Sequence, residues 1–182
     1  MDSSRRDWIF RSLGSLAWGS IAAAQEHAHQ AVLEPNTVAF DFFDAHDAGE
    51  IAAIAGQIIP SDDGPGAKEA GAIHFIDRAL TTFDTDKQQV YRNGLREVED
   101  ARKRLFPQSE SIASLSNEQQ IEFVRSMEKS EFFDVVRTHT VLGFLGNPNY
   151  EGNRAKVGWK YIGFEDRMAF EPPFGYYDRE AQ

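Results

Sequence analysis

The spacing of apolar residues constrains this chain most: they recur three and four positions apart and are cut into segments by Pro60, Pro107 and Pro148. That period belongs to helices with one buried face, and no clear alternating set calls for strands. Proline lacks an amide hydrogen and pushes the residue before it out of the helical region, so each proline closes a helix. In the first segment Asp47 reads as an N-cap with Glu50 three residues on, and Ile51, Ile54, Ala55 and Ile58 run toward Pro60. A polar turn over 61–66 follows. There Asp62 or Asp63 is expected to accept backbone N–H bonds, and the glycines to take positive φ. The second helix is expected from about Ala67 to Leu80, with Ile73, Ile76 and Leu80 on one face. The third starts near Thr85 and carries Tyr91, Leu95, Val98 and Leu105. Ser116 opens a fourth holding Ile121, Val124 and Met127, and Ser130 caps a fifth holding Phe132, Val135, Val136, His139 and Leu142.

From Gly146 onward Gly, Pro, Asn and aromatics dominate and the periodicity fades. This part is expected to be an irregular arm over 146–182, held by aromatic contacts rather than by a backbone ladder. The expected class is all-α, about five helices in a compact orthogonal bundle with that long aromatic- and Gly/Pro-rich arm.

Composition narrows the chemistry. The chain has no cysteine. A c-type haem attached through C-x-x-C-H, a thiolate-held iron–sulfur cluster, a thiol nucleophile and a Cys-type zinc site are all excluded. Disulfides cannot help either, so the fold rests on packing or on a partner. The net charge of −10 argues against sequence-independent binding to nucleic acid and against docking on anionic lipid by charge alone.

The first residues read as an address. Arg5-Arg6 follow Ser4, and Trp8-Ile9-Phe10 and Arg11 come next. A weakly apolar run from Leu13 ends in Ala22-Ala23-Ala24. This resembles a twin-arginine export signal over 1–24, with Trp8 where phenylalanine is common and Arg11 one place late for the trailing lysine. The run is too short and too rich in Gly and Ser for a membrane span of about 20 apolar residues. Cleavage after Ala24 would leave one helical domain over 25–182.

Motifs for chemistry are weak. Gly64-Pro65-Gly66 with Gly71 misses the G-x-G-x-x-G spacing and follows a helix instead of a strand. No H-E-x-x-H, G-x-S-x-G or P-loop occurs, and Asp84-x-Asp86 lacks the rest of a calcium loop. Asp41, Asp44 and His46 cluster, with Asp47 beside them and His27 and His29 upstream, and could be imagined around a divalent ion. Acids at a helix start are equally what the helix dipole favours. His139, on an apolar face, reads as a core hydrogen-bonder.

Two stretches carry a resemblance. One runs from Ile51-Ala52-Ala53-Ile54-Ala55-Gly56-Gln57 through Pro60-Ser61-Asp62-Asp63-Gly64-Pro65-Gly66-Ala67 to Phe75-Ile76-Asp77. The other comprises His139-Thr140, Gly143-Phe144, Pro148, Tyr150, Gly152-Asn153-Arg154, Gly158-Trp159 and Ile162-Gly163-Phe164. Together, from about residue 45 to 178, they resemble the small third subunit of gluconate 2-dehydrogenase and related membrane-bound sugar and polyol dehydrogenases.

The resemblance implies a non-catalytic accessory subunit that holds no cofactor itself. Its implied partners are a glucose–methanol–choline-type flavoprotein carrying FAD, a multihaem cytochrome c subunit and the twin-arginine export machinery. It implies a periplasmic location, membrane-associated through the complex, and help in folding and exporting the flavoprotein. Aromatics and arginine are enriched at binding hot spots, so the candidate partner contacts are Tyr150, Arg154, Trp159, Tyr161, Phe164, Phe174, Tyr176 and Tyr177, with Arg5 and Arg6 as the export signal. Two other readings stand beside it: a metal-dependent enzyme using Asp41, Asp44 and His46, and a purely structural subunit with no export role.

Overall fold

The computed structural model describes residues 39–169, which are all helical with no strand among them. The signal region with Arg5 and Arg6, His27, His29 and Val38, and Phe170, Phe174, Tyr176 and Tyr177, lie outside the described residues. No helix among those described is long and apolar enough to cross a membrane.

The chain enters along Asp41-Phe42-Phe43, whose amides donate to one buried carboxylate, that of Asp77, at 2.8, 3.0 and 3.1 Å. Helix α1 spans Ala45–Ile58, and its N-cap is Asp44, which accepts the Asp47 N–H at 2.8 Å. The expected cap, Asp47, therefore lies inside the first turn. Two aspartates three apart offer the same cap, and the earlier one wins because nothing in Ala45-His46 opposes helix. Glu50, freed from a capping box, turns inward, and Ile51, Ile54 and Ala55 are buried beside it.

The corner over 59–71 is tighter and longer than its glycines suggested. Glu69 closes it, accepting from Gly66 N–H at 2.8 Å and from the Ser61 hydroxyl at 2.5 Å. Asp62 accepts only from its neighbour Asp63, at 2.7 Å. Neither Gly64 nor Gly66 takes positive φ; Gly71 does, at φ 65°. That left-handed residue stops any helix from running through it, so α2 spans Ala72–Thr81 instead of starting at Ala67.

A 3-10 turn at Thr85–Lys87 leads into α3, Gln88–Leu105. Tyr91, Leu95 and Val98 are buried as expected, but Leu105 is 42% exposed. The buried stripe ends one turn earlier at Arg102, whose guanidinium grips Glu99 and the Ser109 carbonyl. Helix α4, Asn117–Met127, has the Ser116–Gln119 capping box in full, and Ser130 caps α5, Glu131–Leu145, through the Phe133 N–H. In α5 the inward residues are Phe132, Val136, His139, Thr140, Gly143 and Phe144; Leu142 is 45% exposed.

Helices α2 and α5 pack most extensively on each other. Tyr91 sits at the centre, edge-on to Phe43 and Phe132 and stacked on His139, with ring centroids 5.7 to 5.8 Å apart. Each fully buried aliphatic side chain here contributes roughly 1.5–3 kcal/mol.

The arm is described as far as residue 169. Within its described part lie 3-10 turns at Pro148–Tyr150 and Arg154–Lys156 and a short helix, α6, Val157–Tyr161.

Candidate functional site: the faces formed by the arm

Asn153 ties the arm down. It is fully buried. Its side chain donates to the Gly146 carbonyl and accepts from Gly158 N–H, both at 2.9 Å. Its own N–H donates to the Gly143 carbonyl at 2.6 Å, and the next amide, Arg154, reaches the Ala70 carbonyl at 3.0 Å. These bonds join the end of α5, the corner before α2 and the start of α6. Backbones meet here, which is why Gly143 abuts Ala72, and a Cβ on it would lie 3.0 Å from the Ala72 Cα. The second motif stretch is therefore mostly architecture. A polar, glycine-lined knot holds the described part of the arm, beside the aromatic contacts of Tyr150 with Phe83 and of Trp159 with Phe164.

The candidate contact residues divide accordingly. Trp159 is half-buried: its indole N–H donates to the Leu145 carbonyl at 2.5 Å, and its ring meets Phe164 at 5.1 Å between centroids. Arg154 lays its side chain across Gly71, where an added Cβ would lie 2.6 Å from the Arg154 Cδ. Tyr150, Tyr161 and Phe164 are exposed by 47%, 57% and 47%. Phe174, Tyr176 and Tyr177 lie outside the described residues.

Phe83, absent from the sequence reading, joins the exposed set together with Leu142 and Ile162, at 50%, 45% and 58%. Phe83 meets the Tyr150 ring edge-on at 5.6 Å. With Phe75 and Leu142 they line an apolar hollow of about 370 Å³. Helical spacing alone placed Leu142 inside, and nothing local distinguished it from its buried neighbours.

The titratable groups are mostly committed. His139 lies between Tyr91, whose hydroxyl shares a hydrogen bond with Nδ1 at 3.0 Å, and Asp84, 3.3 Å from Nε2. Burial lowers its pKa, opposed by the Asp84 carboxylate. Asp44 is spent as a cap, and His46 lies on a polar cleft of about 730 Å³ between α1 and α3, with Asp47, Glu50 and Glu99. Burial raises the carboxyls of Asp47 and Glu50 above the usual range. Glu50 spends both oxygens on the Ile112 N–H. Among the described residues no three His, Asp or Glu side chains are placed to hold a metal ion, so the structure does not gather Asp41, Asp44 and His46 into the centre imagined from their spacing.

The protein family described as Gluconate 2-dehydrogenase subunit 3 matches residues 45–166, which include both motif stretches up to Phe164. No curated protein and no solved structure matches the chain.

Proposed function

The chain belongs to the gluconate 2-dehydrogenase subunit 3 family, and from that premise we propose that it is the non-catalytic small subunit of a periplasmic, membrane-associated sugar or polyol dehydrogenase. In this reading it binds an FAD-carrying large subunit of the glucose–methanol–choline type and helps it to fold. Its N-terminal Arg5-Arg6 segment takes the pair through the twin-arginine route, which carries folded cargo. A multihaem cytochrome c subunit receives the electrons. FAD and haem belong to those partners; this chain has no cysteine to attach haem.

The family match carries the reading. The geometry supports it in one respect: Tyr150, Tyr161, Ile162 and Phe164 are presented outward by a segment that Asn153 holds firmly in place. Pre-ordered apolar residues lose little freedom on binding, which favours association.

The test replaces Arg5 and Arg6 by lysine in the producing cell and follows the large subunit by cell fractionation. The expected result is large subunit retained in the cytoplasm with little periplasmic dehydrogenase activity. Normal periplasmic large subunit in that strain would exclude the export role and leave a structural subunit.

A further inference from the structure

A second concave surface lies away from the exposed aromatics. It is a groove of about 620 Å³ floored by the outer face of α1 and bounded by the 59–71 corner, Ala113, Gln120 and Arg154. Residues from both motif stretches line it, among them Ala52 and Gly56 from the first and Arg154 from the second. We propose that this groove receives an acidic segment of the complex's large subunit, packed backbone-close on α1 with its carboxylate on Arg154 and Lys68. The proposal rests on the reading of the chain as a dehydrogenase subunit and adds where, and by what chemistry, it grips its partner.

Charge points to the occupant. The chain has 29 acidic and 19 basic residues, yet none of the residues lining this groove is acidic, while Lys68 and Arg154 are cationic. The polar cleft between α1 and α3, by contrast, sets four acids, Asp47, Glu50, Glu99 and Asp100, beside Arg92 and Arg96. Arg78, Arg102, Arg137 and Lys156 each have a carboxylate within ion-pair distance; Arg154 and Lys68, like several exposed cations elsewhere, have none among the described residues. Arg154 is partly buried, and the one carboxylate that favours its charge, Glu151, is paired directly with Arg78, which leaves the guanidinium free to take a carboxylate from outside.

Two glycines indicate how close the occupant comes. Gly49 and Gly56 lie inside α1, where glycine costs about 1 kcal/mol relative to alanine. Neither has positive φ, and a Cβ built on either meets nothing within 4 Å. Gly66, Gly71, Gly94, Gly143 and Gly158 differ, because an added Cβ there would press on a neighbour. Folding of the described residues thus gives no reason for Gly49 or Gly56. Close approach of a second backbone does.

The experiment co-expresses the full chain, affinity-tagged, with the large subunit and measures how much large subunit is retained. One variant, Gly49→Leu with Gly56→Leu, fills the floor with good helix formers where space is open. Another, Lys68→Glu with Arg154→Glu, reverses the charge. Leu105→Ala, an exposed residue outside the groove, serves as a comparison and should retain the large subunit as the wild type does. The wild type should retain the large subunit. Both groove variants should bind it at least about tenfold more weakly, as for a hot-spot change. The leucine pair should melt at or above the wild-type temperature, which separates lost binding from lost folding.

Undiminished retention by the leucine pair would overturn the groove while leaving the subunit reading intact. A wild-type chain that retains no large subunit would overturn the subunit reading, and the groove with it. If the wild type instead dimerises alone and the leucine pair abolishes the dimer, the occupant is a second copy and the proposal is wrong.

Discussion

The two carboxylate oxygens of Glu50 accept the amide N–H of Ile112, at 3.0 and 3.2 Å, across a sequence separation of 62 residues. This one contact fastens the loop after α3 to the first helix. Glu50 is almost fully buried, so the bond forms where water cannot replace it.

Glu50→Ala should leave the Ile112 amide unsatisfied and lower stability by about 1–3 kcal/mol. Glu50→Gln keeps an acceptor without the charge. Because burial raises the folded-state pKa of Glu50, its contribution is full below the unfolded value and declines as pH rises through the folded one. The glutamine variant should therefore lose less stability than the wild type between pH 5 and pH 8. Urea titrations at several pH values check this, and an unchanged pH slope would contradict it.

His139 should act in the opposite sense. Burial holds its folded-state pKa below the unfolded value, so stability is full above the unfolded pKa of about 6.5 and falls as pH drops toward the folded one. Asp84 at 3.3 Å softens the loss. In thermal melts from pH 7.5 to pH 5, against the opposite contribution of Glu50, the wild type should lose stability relative to His139→Gln as pH falls.

Asn153→Ala should release the arm while sparing the bundle. It removes the side-chain bonds to Gly146 and Gly158 and leaves buried groups unpaired at about 1–3 kcal/mol each. Limited proteolysis should cut between 146 and 158 much faster, and Trp159 fluorescence should shift red, with most far-ultraviolet helical signal kept. Equal protease resistance would show that the knot does not hold the arm.

Asp77→Ala should be among the costliest single changes. Three consecutive amides, of Asp41, Phe42 and Phe43, lose their shared acceptor, and Phe43 loses its register against Tyr91. A loss of at least about 3 kcal/mol is expected from the unsatisfied donors, read from the denaturation midpoint. Asp77→Asn, with one acceptor oxygen, should fall between the alanine variant and the wild type.

Gly71→Ala should destabilise more than a usual helix-flank change. The residue has positive φ, costing about 1–2 kcal/mol for any L side chain, and the new methyl would press on Arg154. Calorimetric melting of the variant checks it.

What could be read from the chain alone was local. Ser116 and Ser130 as caps, Pro60 and Pro107 beyond helix ends, and the Tyr91-Leu95-Val98 stripe depend on residues within about one turn of each other, so side-chain chemistry and helical period suffice. Where two local answers were nearly equal, as for Asp44 and Asp47, the chain could not choose between them. Burial at stripe ends failed for a related reason: Leu105 and Leu142 lie at helical spacing, but whether anything covers them depends on distant segments.

Tertiary structure alone decided the rest. Glu50 facing Ile112, Asp77 holding the amides of the entry segment, the Arg154 amide on the Ala70 carbonyl and the Arg154 side chain over Gly71 are all pairings between segments far apart in sequence. Polar residues of these types are ordinarily solvated or capping, and only the meeting of two backbones at a glycine, or a donor stranded in the core, makes them indispensable. The same physics hid the groove over α1: a glycine in a helix looks like a defect until the folded surface shows that nothing of the described chain fills the space beside it.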